Sequence, residues 1–145
     1  MKSARQGLAL ALVLAALVLA GALAAGAVMY ATQSMRDAAG AVARLQAAAA
    51  AEQGLATVSA PTTWSPSWSL PGPPGPLATI AFSNAHAVDT VRVLRLSPTT
   101  YLLLSESRTL SPITLSAHSR LSLLVTIDST HSPHPITNHS WADLP

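Results

Sequence analysis

Histidine, serine and aspartate are the residues of this chain whose chemistry could build a reactive site. The five histidines are His86, His118, His131, His134 and His139, and the last three fall in a Ser/Thr/Pro-rich tail at spacings of three and five. Imidazoles can hold zinc, but a zinc site needs three or four converging ligands, each oriented by an outer hydrogen bond. The tail has no helical or alternating pattern to fix them, so the reading there is a solvated segment, with no metal centre. Ser, His and Asp together supply the inventory of a hydrolase triad. No Gly-x-Ser-x-Gly elbow presents a nucleophile, however, and no glycine loop could cradle a phosphate. The six carboxylates lie far apart along the chain, which gives paired acid–base chemistry no local basis. Asn138-His139-Ser140 fits the N-glycosylation sequon, a tripeptide that also arises by chance. These residues predict a protein without catalysis, metal or cofactor.

Composition narrows the class further. The chain has 145 residues, room for one small domain and an anchor, and it has no cysteine. Disulfides, thiolate metal sites and thiol catalysis are therefore all excluded. The net charge is +2 and its arginines are scattered, so no nucleic-acid partner is predicted. Only 10% of residues are charged and the mean hydropathy is +0.39, much of it from an Ala/Leu-rich start.

The start is where the elements come in. Lys2 and Arg5 are its only charges, and residues 8–35 then hold no charged side chain before Arg36. A bilayer core needs about 20 residues of helix, and this run exceeds that. The leading cations keep the N-terminus cytoplasmic and predict export of the remainder. Two plainer readings fit the same residues. One is a cleaved signal peptide with an A-x-A site such as Ala22-Leu23-Ala24, and the other is an unprocessed signal anchor. Against the first, the helical pattern continues. No proline interrupts residues 31–58, alanine dominates, and the firm stop is Pro61. Met35, Val42, Leu45 and Ala49 recur at helical spacing and predict a narrow apolar stripe, while Gly54 predicts a frayed end.

With that helix in place the chain resembles type IV pilin-like proteins, and among them the PilX-type minor pilins and the K-type minor pseudopilins of type II secretion. The likeness rests on the short basic leader Lys2-Ser3-Ala4-Arg5-Gln6-Gly7 before Leu8-Ala9-Leu10-Ala11-Leu12. It rests also on the alanine-rich helix that leads into Glu52-Gln53-Gly54-Leu55, and on the runs Tyr101 to Glu106 and Arg120 to Val125. The resemblance implies that prepilin peptidase cuts between Gly7 and Leu8. Major pilins carry a glutamate five residues into the mature chain, which serves register and N-terminal methylation. Here that position is Leu12, which fits a minor component better than a fibre-forming subunit.

Beyond the helix, Pro61, Pro66, Pro71, Pro73, Pro74 and Pro76 predict a polyproline-type linker over residues 59–76. Trp64 and Trp68 within it either pack on the following domain or mark a partner-binding loop. Residues 78–83, 88–96, 101–107 and 120–127 alternate as strands, and Ser97-Pro98-Thr99-Thr100 joins the second and third as a hairpin. Arg95 breaks the alternation and predicts an edge or a bulge. A further short strand is possible over residues 110–117, interrupted by Pro112.

The expected architecture is α+β: a basic leader (1–7), a transmembrane and stalk helix (8–58), a linker (59–76), a small antiparallel sheet (77–127) and a poorly ordered tail (128–145). The expected function is that of a non-enzymatic minor pilin or pseudopilin. Its location would be the bacterial inner membrane, and its partners the prepilin peptidase and other pilin or pseudopilin subunits. The alternative is a secreted or anchored β-domain binding module.

Overall fold

The computed structural model describes residues 2–110, 116–128, 132–136 and 141–143. With no proline before Pro61 and alanine at most turns, the chain is helical from its start, as α1 (Lys2–Ser59). The residues predicted as a leader are thus the first turns of this helix. Hydroxyls close its far end: Thr57 Oγ1 donates to Gln53 O at 2.7 Å and Ser59 Oγ to Ala56 O at 3.2 Å. Thr63 Oγ1 donates to the carbonyls of Thr57 and Ala60, which also accept backbone N–H bonds from the turn that follows the helix. The chain divides into two compact units, residues 1–39 and 40–145. The first is helix alone. The second holds the remainder of α1 and an antiparallel sheet, the α+β layout the sequence predicts.

Six strands build that sheet: β1 (Gly75–Ser83), β2 (Ala87–Arg95), β3 (Thr100–Thr109), β4 (His118–Ile127), β5 (Pro133–Pro135) and β6 (Trp141–Asp143). The order is β1-β2-β3-β4-β5, and β6 also pairs with β4. Register places Val93 opposite Leu103 and Leu103 opposite Leu123, so one row of large apolar side chains crosses three strands. Leu55 and Val58 of α1 pack on this row together with Trp64, Tyr101 and Val125. The apolar face expected for the fourth strand holds: Leu123 and Val125 are buried, with Leu121 and Ile127 against the same core. Residues 111–115, where a further strand was expected, lie outside the described residues.

Several expectations need correction. Gly54 is not a frayed end, since α1 continues to Ser59 and Gly54 is buried within it. Residues 59–76 are not a free linker: a short 3-10 helix (Pro66–Ser69) folds them onto the sheet. Trp64 is in the core and meets Trp68 and Tyr101 edge-to-face, each at 5.2 Å between ring centres. Trp68 O accepts hydrogen bonds from both Tyr101 Oη and Arg95 Nη2. Burial of two indoles outweighs the extended preference of the prolines around them. Arg95 is neither at an edge nor bulged. It lies in an interior strand, 5% exposed, on the same inward register as Val91 and Val93, with its guanidinium 5.8 Å from the Tyr101 ring centre. The irregular step lies in the neighbouring strand, between Pro76 and Ala78 of β1, across from Leu94 and Val93. That strand opens at Gly75 with φ of +150°, a conformation side chains rarely adopt. In the predicted tail, β5 and β6 both pair with β4, because the outer edge of β4 offers free backbone groups. Asp128 and His134 add a 3.0 Å side-chain contact at the β4–β5 turn.

Candidate functional site

In the first unit the sequence is written outward. Leu10, Leu12, Val13, Leu14, Leu17, Val18, Leu19 and Leu23 are all more than half exposed, as are Val28, Met29 and Tyr30. Covering a leucine or valine of this kind is worth about 1.5–3 kcal/mol, so eleven bare side chains of this character do not persist in water. Among the described residues this helix is the one long and apolar enough to cross a membrane. Lys2, Arg5, Gly7 and Leu8 lie in its first two turns.

In the second unit α1 has two different sides. The side on the sheet is made of small residues: Ala43, Ala47, Ala50 and Ala51 are buried, followed by Gly54, Leu55 and Val58. The residues predicted as a narrow apolar stripe are elsewhere. Val42 is 53% exposed and Leu45 71%, while Ala49 is exposed too. Met35, in the first unit, is likewise uncovered. The reason is distance. Alanine and glycine let the helix backbone come close enough for the sheet to reach it, and leucine would hold it off.

That close approach creates a buried polar seam, which the sequence reading missed. Asp89, Ser105, Ser107 and Thr109 face inward from β2 and β3, in phase with Val91 and Leu103. Ser105 Oγ donates to Asp89 Oδ1 at 2.6 Å, and Ser107 Oγ donates to the carbonyl of Ala47 on α1. Asp89 Oδ2 is buried without a partner. Gly54 makes this possible: a Cβ there would overlap Asp89 Oδ2 and come within 3.0 Å of Val91 Cγ2. Burial pushes the Asp89 carboxyl above the ordinary carboxylate range, against the opposing pull of hydrogen bonds from Ser105 and the Thr90 backbone. Beside it is a pocket of about 170 Å³, bordered by Gln53, Thr57, Phe82, Ser83 and Asn84. The signal that could have found the seam is Asp89 itself, two residues before Val91 on the inward register.

Ser105 is fully buried, so no substrate reaches it, and the Asp89 pair contains no imidazole base. His86 lies in the exposed β1–β2 turn, His118 at the start of β4 and His134 in β5, so the structure does not bring these three together. His131, His139 and the sequon at Asn138 lie outside the described residues. No group of three or more potential metal ligands occurs among the described residues. On the outer sheet face Glu106 contacts Arg120 at 3.1 Å and Arg92 at 3.7 Å, an exposed ladder of small energetic weight. No family model, curated protein or solved structure matches the chain.

Proposed function

We propose that this chain is a non-enzymatic, pilin-like assembly subunit, a minor pilin or pseudopilin. The observation that carries the reading is the outward-facing apolarity of α1. It begins with residues able to enter a bilayer and continues past them at Val42 and Leu45, which stay more than half exposed. A simple membrane anchor has no use for the second part. A subunit first held in the bilayer and later packed among other helices uses both.

In this account Lys2 and Arg5 hold the N-terminus on the cytoplasmic side of the inner membrane. Prepilin peptidase then cleaves after Gly7, Leu8 becomes the first residue, and α1 packs against neighbouring pilin or pseudopilin helices. Leu12 supplies no carboxylate to pair with a neighbour's new N-terminus, which suits a capping or decorating position. The sheet unit, held to α1 by the alanine side, would be what the filament displays. N-terminal sequencing of the protein purified from its host tests this. Leu8 as first residue is the expected result, and Gly7→Val should block the cut. A start near Gly26 would instead identify a secreted module, and a retained Met1 an unprocessed anchor.

A further inference from the structure

We propose that Asp89 is a proton-controlled latch between α1 and the sheet. Neutral, it lets the turn of helix at residues 50–57 close onto β2; ionised, it draws water into the seam and loosens that turn.

The geometry carries the argument. Asp89 is only 3% exposed, and its two oxygens are treated differently. Oδ1 has the Ser105 hydroxyl, whereas Oδ2 has no partner and is sealed by the backbone at Gly54. A buried carboxylate with an unsatisfied oxygen is costly, and protonation removes the charge that carries most of that cost. Among the described residues no cation pairs with it. Lining the pocket with Asp89 are Ala50, Gln53, Gly54 and Thr57 from α1, Phe82 and Ser83 from β1, Asn84 from the turn and Ala87 from β2. From β3 come Ser105 and Ser107, and none of these side chains is ionisable. The ionisable groups nearest in sequence to Asp89, His86 and Arg92, and the one nearest to Gly54, Glu52, are all exposed.

Direction follows from linkage. In the unfolded or opened chain Asp89 ionises near the ordinary value of about 3.9. In the closed seam it holds its proton to higher pH. The closed form is therefore at full strength below about pH 4 and weakens as pH rises towards the closed-state value, above which the loss is constant. The route for water is already built. The adjoining pocket of about 170 Å³ has room for about five waters at roughly 30 Å³ each, and Gln53, Thr57 and Asn84 give them polar partners. The latch belongs to the second unit alone and stands apart from the assembly reading.

Hydrogen exchange of the full chain in detergent micelles tests it, between pH 4 and 8, with each rate corrected for intrinsic base catalysis. Protection of the amides of residues 47–58 should fall about tenfold for each unit by which the closed-state pKa is raised, then level off. Protection in β3 and β4 should stay constant. In Asp89→Asn the same helix amides should remain protected across the range. Ser105→Ala, which removes a donor to the carboxylate, should move the transition to higher pH. Flat protection in the wild type, or an equal fall in Asp89→Asn, would overturn the proposal. If Asp89→Asn does not fold, an unmoved transition in Ser105→Ala overturns it.

Discussion

On one side of α1 in the second unit, Ala47, Ala51 and Leu55 are completely buried against the sheet; on the other, Val42 and Leu45 remain more than half exposed. Hydrophobicity alone would have assigned these sides the other way round. Over residues 42–51 the larger apolar residues face out and alanines face in, and only beyond them do Leu55 and Val58 join the core. What decides is fit. The sheet reaches α1 through Ser107 and Asp89, short side chains whose hydrogen bonds or burial require the backbone to be close. Val42 and Leu45 are left uncovered.

The comparison can be broken most severely from the inside. Leu55→Ala removes a fully buried side chain that packs with Val58, Trp64 and Val93, and should cost about 2–5 kcal/mol in thermal or denaturant unfolding of the sheet unit. Gly54→Ala is the next largest, about 1–3 kcal/mol. Its added methyl meets the carboxylate of Asp89 and the Val91 side chain, and neither is a free chain end able to swing clear. A Gly→Ala change in an exposed helix would stabilise, so the sign of this one substitution reports the closeness of the approach.

Much of this fold is readable from the chain, for identifiable reasons. The helix follows from the absence of proline before Pro61 and the abundance of alanine. The alternation Leu121, Leu123, Val125 and Ile127 gives β4, and Ser97-Pro98 gives the hairpin between β2 and β3. The buried side of α1 is not readable, because alanine lies on every side of this helix and its burial leaves no periodic mark. Val42 and Leu45 stand out by size and so attract the wrong assignment. Arg95 and Asp89 are on the inward register but look like interruptions, since their burial depends on partners far off in sequence: Trp68 and Tyr101 for one, Ser105 and Gly54 for the other. The folding of residues 59–76 was obscured by their prolines, although Trp64 and Trp68 carried the clue. The candidate site is legible in part. The apolar run is plain in the sequence; the side of the helix that the sheet leaves uncovered emerges only once the sheet is in place.

The outward side should be silent in stability and decisive in assembly, and a cysteine-free chain makes that contrast easy to read. At about 100° per residue, Leu45 and Ala47 lie on nearly opposite sides of α1. The direct test places a short photo-crosslinker at each of these two positions in turn, irradiates the host membrane and identifies the adducts by mass spectrometry. The account predicts that position 45 leaves unfolding of the sheet unit unchanged and joins to the N-terminal helices of other short-leader, apolar-start proteins. It predicts that position 47 yields links within the chain's own sheet unit. Adducts to lipid alone at position 45, or the same partners captured from both positions, would contradict it.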